Sequence, residues 1–325
     1  MAGADRTPDG RADLRSETLL WLGALAFLVV FLALEPYLSF SLFGSDSGEY
    51  FRITSSLVLT GHIPTGAAYL GWGTAYPDFP GVYLLAGAGI EAMGLSTFSG
   101  LTIIIPVVAA LSFLPLFLLF RRLFPHDGVA LLGAAFASVF MPRVFSIAHP
   151  APLALGDFLV VAALWMFVES RRDVRWYLPL GFTAGGLIVT HHLSTFFFLL
   201  SALGALVLLE LWRPGLWSRR FPTRELVFIA GMSIATLAFW FYGAPTFVSD
   251  VIAPGVGQSF LDNFAVLVMI VLAVVVIAGV IIALRRGRFR PLHGGWLGLP
   301  SDRSLSRDLL LLTILIAAGV TSVLF

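Results

Sequence analysis

The stretch Gly81 to Gly94 (GVYLLAGAGIEAMG) decides how this chain is threaded. It is apolar, yet short for a hydrocarbon core of about 30 Å, which takes roughly 17 to 25 helical residues. Glu91 and several glycines weaken it further, so it reads as re-entrant or interfacial. Longer apolar runs lie on both sides: 19–34 before it, and 99–120, 127–147, 152–169, 193–212, 225–244, 263–284 and 308–325 after it, with a shorter one at 176–190. Inside lipid every backbone polar group needs an internal partner, so such runs must be helices and not strands of an open sheet.

Arginine resolves the threading. If 81–94 stays outside, nine spans put Arg6, Arg11, Arg15, Arg121, Arg122, Arg171, Arg172, Arg175 and the clusters at 213–224, 285–290 and 303–307 on one side. Only Arg52 and Arg143 fall elsewhere, and if 81–94 crosses, this positive-inside pattern breaks. The expectation is therefore an all-α polytopic membrane protein of about nine transmembrane helices, with interfacial helices in a first outer loop at 44–98. Its N-terminus is expected in the cytoplasm and the protein in the plasma membrane. Residues 1–18 read as a disordered tail and 19–325 as one transmembrane domain. The run 19–34 follows a basic flank, as a signal peptide does, but lacks a small-x-small cleavage site before Glu35-Pro36, which favours a retained helix. The chain ends at Phe325 inside an apolar run: either the last helix finishes at the outer surface, or a C-terminal region follows that is missing here.

Composition agrees. Of 325 residues, 58% are hydrophobic and 12% charged, where a soluble domain carries about a quarter charged. Twenty basic residues, all arginine, against nineteen acidic ones leave no excess that points to nucleic acid. Without cysteine there is no disulfide framework, thiol catalysis or Cys-ligated metal. Neither a solenoid period nor a matched pair of broken helices appears.

The same threading gathers the polar chemistry on the outer face: Asp46, Glu49, Arg52, His62 and Asp78 in the first loop, then His149, His191-His192, Asp250 and Asp262. Two cations, Arg52 and Arg143, then sit unneutralised beside carboxylates and imidazoles. The segment Gly44 to Arg52 (GSDSGEYFR) puts positions 46, 49 and 50 on one helical face. A carboxylate there can serve as a general base, or Ser45 or Asp46 simply caps a helix. Arg143, in the outer part of a span, either snorkels or clamps a phosphate. Asp157, within a span, is protonated, paired with Arg143, or facing a wet cavity. His149 either precedes a helix at Pro150 or contacts substrate. Ser194 and Thr195 are expected to cap the helix that His191-His192 opens, where the histidines anchor at the interface, contact donor phosphate or acceptor, or join a metal site. Adjacent histidines point about 100° apart and chelate poorly alone. Aromatic runs such as Phe196 to Phe198 read as lipid-facing, and Gly181, Gly185 and Gly186 as helix packing.

The D-x-x-E-Y-x-R element at 46–52, followed by Thr60-Gly61-His62-Ile63-Pro64, Tyr76-Pro77-Asp78-Phe79-Pro80, an interfacial stretch and a ladder of spans, resembles the GT-C superfamily of integral-membrane glycosyltransferases. That group includes protein O-mannosyltransferases, lipid A aminoarabinose transferases and oligosaccharyltransferase catalytic subunits. The resemblance implies transfer of a sugar from a polyprenyl-phosphate-linked donor to a protein, lipid or glycan acceptor at the bilayer surface. Asp46 and Glu49 match the catalytic positions, with Arg52, Tyr76, Asp78, Arg143, His149, Asp157, His191 and His192 as donor-phosphate or substrate contacts. No metal is assigned, a magnesium or manganese ion being the alternative from the oligosaccharyltransferase branch. Against the family pattern, the chain has no lysine before Pro77 or Pro80 and has His149-Pro150 where many relatives carry aspartate. The competing class is a secondary transporter or lipid flippase using Asp157; a third is a non-catalytic scaffold.

Overall fold

A computed structural model describes residues 16–64, 71–124, 126–212 and 223–252. Among these the chain is almost entirely helical, with no strand: α1 (Ser16–Leu34), α2 (Ser47–Thr60), α3 (Gly81–Met93), α4 (Thr97–Ser99), α5 (Ile105–Ala110), α6 (Phe113–Leu123), α7 (Asp127–Val139), α8 (Met141–Ala148), α9 (Pro152–Ser170), α10 (Tyr177–Thr190), α11 (His192–Trp212) and α12 (Thr223–Ala238). Four stretches are long and apolar enough to cross a membrane: Ser16–Leu38, Thr97–Arg122, Pro152–Ser170 and Arg224–Gly243. Gly81–Met93, Asp127–Val139 and His192–Gly204 are shorter apolar helices. This is a helical membrane protein. Residues 1–15 of the expected tail, the expected spans at 263–284 and 308–325, the arginines at 213–220 and beyond 284, and Asp262 lie outside the described residues.

Burial sorts the long helices. α1 keeps a stripe of Leu22, Leu25, Val29 and Ala33 for the core, spaced three and four apart as one helical face requires. Its Leu20, Trp21, Phe27 and Phe31 point outward, where lipid is their matching solvent. The stretch Thr97–Arg122 is instead the central rod, 61% buried in its apolar window against 22% for the first span. Two prolines explain its irregularities. Pro106 follows the wide π-helical segment Gly100–Ile104, and Pro115 offers no N–H to Leu111, just where α5 gives way to α6.

At 26 residues this rod is about 39 Å long, more than the ~30 Å of a hydrocarbon core. α3 packs along the Gly100–Ile104 segment of the rod by glycine-isoleucine contacts in both directions. A methyl group at Gly100 would come within 2.1 Å of Ile90, and one at Gly89 within 2.4 Å of Ile104. α2 lies against α3, with Leu57 over Gly87, and Gly81 abuts Thr190 at the end of α10. The sequence stretch that decided the threading is thus a 13-residue helix held between α2 and the start of the rod.

Two boundaries differ from the hydropathy reading. α1 starts at Ser16, inside the expected tail. The run 127–147 is two helices, because Phe140 turns extended and Pro142 starts α8 in the first turn, where a missing N–H costs nothing.

The bundle has chemically distinct ends. At one, Arg121 pairs with Asp127 at 2.8 Å, Arg122 donates to Glu169 at 2.7 Å, and Arg171 to Glu225 at 3.2 Å, tying α6 to α7 and α9, and α9 to α12. At the other lie the α1–α2, α8–α9 and α10–α11 junctions. Glu169 is nearly buried while Arg122 is 40% exposed, so Glu169→Ala frees an arginine that can still reach water. The expected loss is about 1 to 2 kcal/mol, below the cost of orphaning a fully buried charge. It should lower the unfolding midpoint in detergent by several degrees; an unchanged midpoint would mean the pair carries no stability.

Candidate active site

Asp46 occupies the N-cap position of α2, and its carbonyl accepts from the N–H groups of Glu49 and Tyr50 at 3.0 and 3.2 Å. Its carboxylate does not cap the helix. Instead Oδ2 accepts a 2.7 Å hydrogen bond from the Tyr76 hydroxyl, thirty residues along, on the 3-10 helix Gly71–Asp78. Of the two readings of Asp46, capping is therefore not what its side chain does.

One turn into α2, buried Tyr50 sits at the centre of a ring cluster: 5.1 Å from Tyr76, 5.7 Å from His149 and 6.4 Å from Tyr83. Burial, then Tyr76, lifts the Tyr50 phenol well above its ordinary range. Tyr83 is fully buried, and its hydroxyl has no partner among the described residues.

His149 ends α8, with its ring laid on Gly44. A Cβ there would stand 2.1 Å from His149 Cδ2, and Gly44 has φ of +102°, the left-handed region that glycine alone enters freely. Burial lowers the imidazole below its ordinary value, opposed by Asp46. A neutral ring follows at pH 7, with its buried Nε2 unpartnered among the described residues.

The two cations are not unneutralised, which corrects the sequence reading. Arg52 donates through Nε and Nη2 to both oxygens of buried Glu49, at 2.9 and 2.6 Å, so that carboxylate is engaged by its neighbour one turn on. Arg143 donates through Nη1 to Asp157 at 2.6 Å, and Ser146 adds a 2.7 Å bond to the same oxygen. Arg143 Nη2 is buried and unpartnered among the described residues.

A third group lies where the 3-10 helix meets the α10–α11 junction and the π-helical segment Phe247–Ile252. Asp78 accepts from the Phe247 N–H at 2.8 Å; burial raises its carboxyl and this bond opposes the rise. His192 packs between Phe79 and Phe247, at 5.1 and 4.4 Å. His191 Nδ1 accepts from the Ser194 N–H at 3.3 Å and lies 2.7 Å from its hydroxyl, so the histidine caps α11 and its proton resides on Nε2. Ser194 and Thr195 do not cap as expected, since Thr195 Oγ1 donates back to the carbonyls of Leu187 and His191. His62 is exposed at the far end of α2 and Asp250 is exposed.

Asp46, Tyr76 and His149 thus come together, Glu49 and Arg52 stand beside them on α2, Arg143 and Asp157 pair between α8 and α9, and Asp78, His191 and His192 form a separate wall. No three His, Asp or Glu side chains gather as metal ligands among the described residues. An open apolar groove lined by Phe27, Val30, Phe31, Leu34, Glu35 and Leu38 follows α1 and leaves Asp46 out of its lining. Sequence reasoning missed Gly44 and Tyr83. A glycine three residues before the helix is a weak signal for the first, and nothing in an apolar helix flags the second.

No protein-family model matches this chain, and no curated protein matches it. The site therefore stands on its own geometry.

Gly44→Ala should expel His149 from its seat and destabilise the protein by about 1 kcal/mol or more, from the backbone strain alone. Gly48→Ala, in helix and with open space around it, is the control and should be neutral or stabilising. Equal unfolding midpoints for the two would refute the Gly44–His149 contact.

Proposed function

We propose that this protein is a GT-C-like membrane glycosyltransferase that moves a sugar from a polyprenyl-phosphate-linked donor to a protein, lipid or glycan acceptor on the non-cytoplasmic face. In this reading it spans the plasma membrane nine times with its N-terminus in the cytoplasm. The observation that carries the proposal is the Asp46 carboxylate, unspent on helix capping, held by Tyr76 and set beside the neutral ring of His149. A base has to be held in position by groups other than the substrate, and the Tyr76 hydroxyl holds this carboxylate.

The reaction is a single displacement. The acceptor X–H bond breaks as Asp46 takes the proton, the electron pair stays on X and attacks the anomeric carbon, and the carbon–oxygen bond to the carrier phosphate breaks with its pair leaving on phosphate. The configuration inverts. A phosphate leaves without a general acid but gains from donors aimed at its oxygens, worth most where water is excluded. Arg143 Nη2, buried and unspent, suits that task, and the partly exposed guanidinium of Arg52 is the second candidate. Glu49 holds Arg52 and acts through it. A magnesium or manganese ion would have to recruit Asp46 together with groups beyond the described residues.

The transporter or flippase alternative needs a carboxylate free to load and release a proton in the membrane. Asp157 is held by Arg143 and Ser146, which favours a fixed pair.

In membranes supplied with radiolabelled polyprenyl-phosphate sugar, Asp46→Asn should lower transfer about a hundredfold or more at normal expression. Transfer at the parental rate would remove Asp46 from the mechanism, and proton-coupled uptake abolished by Asp157→Asn would reverse the ranking.

A further inference from the structure

Phe247 fills a socket whose walls do not match it. Its buried ring packs on His192 at 4.4 Å, Phe79 at 5.2 Å and Trp240 at 5.3 Å between ring centroids. His192 Nδ1 and Trp240 Nε1 are both buried and unpartnered among the described residues. A benzene ring neither gives nor takes an ordinary hydrogen bond, so with Phe247 in place these nitrogens stay unpaired. Native interiors rarely keep such groups unless a water or a ligand answers them. The third polar wall is Asp78, whose carboxylate accepts the Phe247 N–H at 2.8 Å and is released when Phe247 leaves. The backbone that carries Phe247 is irregular as well. It starts the π-helical segment Phe247–Ile252, a second π-helical segment, Phe239–Gly243, precedes it, and Ala244 between them takes φ −131° and ψ 56°, outside helix and strand geometry. Wide turns of this kind recur at functional sites.

We propose that this socket is a saccharide subsite and that Phe247 is its displaceable plug. A pyranose ring suits the walls where phenylalanine does not. Its C–H faces stack on the Phe79 and His192 rings, and its hydroxyls, each donor and acceptor at once, serve the Trp240 N–H and the His192 nitrogen in either tautomer. Asp78 then takes a hydroxyl hydrogen in place of the Phe247 N–H. The same carboxylate turns away an anion, so the ligand is a neutral polyhydroxy ring and not the carrier phosphate. Asp78 and Tyr76 share one 3-10 helix, so a sugar in the socket lies against the element that holds Asp46. That sugar is either the donor's own or one within a glycan acceptor. The inference rests on the transferase reading for why a sugar comes here, but its test reads binding alone, so failure of the socket and failure of Asp46 as base are separate results.

Saturation-transfer NMR of the full-length protein with methyl glucoside, methyl mannoside and methyl galactoside reads the socket directly. Phe247→Ala removes the plug and should tighten binding of at least one of the three about tenfold, since the parent binds only in its open fraction. Phe247→Leu should also tighten it, and takes the place of the alanine variant if that one unfolds. Adding Trp240→Phe to the unplugged protein should weaken binding about three- to tenfold, the worth of one neutral hydrogen bond. Asp46→Asn should bind the glycosides as the parent does. If none of the three binds the folded, unplugged protein, the socket holds a buried water only and the proposal is overturned. Binding that ignores both the Phe247 and the Trp240 substitutions belongs to another surface and overturns it equally. Competition separates the two sources of sugar. Displacement of the methyl glycoside by polyprenyl-phosphate sugar, but not by polyprenyl phosphate alone, assigns the socket to the donor, and a glycoside that stays bound assigns it to a glycan acceptor.

Discussion

A carboxylate at the edge of an apolar helix bundle needs donors supplied by the protein, and the 2.7 Å bond from Tyr76 to Asp46 supplies one across thirty residues of chain. That bond ties the start of α2 to the 3-10 helix Gly71–Asp78, which in turn seats Tyr50 among Tyr76, Tyr83 and His149.

Small and ring-shaped residues build the platform beneath. Gly44 lets His149 lie flat on the backbone, Gly81 lets α3 meet α10 at Thr190, and Gly156 admits the His191 and Ser194 side chains against α9. Each is a place where a single methyl group would collide with its neighbour. The prolines serve a complementary end: Pro106 and Pro115 break the long rod's hydrogen-bond ladder, and Pro142 starts the short helix that delivers His149. The opposite end of the bundle is held differently, by arginine-carboxylate pairs that tie α6 to α7 and α9, and α9 to α12.

Much of the fold was legible because a membrane helix announces itself by length and composition, as α1, α9 and α12 do. The helix breaks were harder to read: averaging hydropathy over a window hides the extended residue at Phe140, although Pro142 is the signal for it. Pairing with Arg143 was one of three readings open for Asp157, because an ion inside a span must find a partner, lose its charge or reach water. Arg52 was read as a free cation although Glu49 stands three residues before it, at the spacing that pairs side chains on a helix. The bond from Tyr76 to Asp46 was beyond the sequence, since a contact over thirty residues depends on how the loop folds back and no local pattern encodes it. Gly44 was likewise unreadable, because its role depends on a ring that arrives more than a hundred residues later.

The central claim is that the Asp46 cluster and the arginine-rich end face opposite sides of the membrane, Asp46 outward. The chain has no cysteine, so single substitutions report without a background. Ser45→Cys and His126→Cys, both exposed, mark the two ends. On intact cells a membrane-impermeant thiol reagent should label Ser45→Cys at once and His126→Cys only after permeabilisation. Labelling of both from outside, or of His126→Cys alone, would contradict the account.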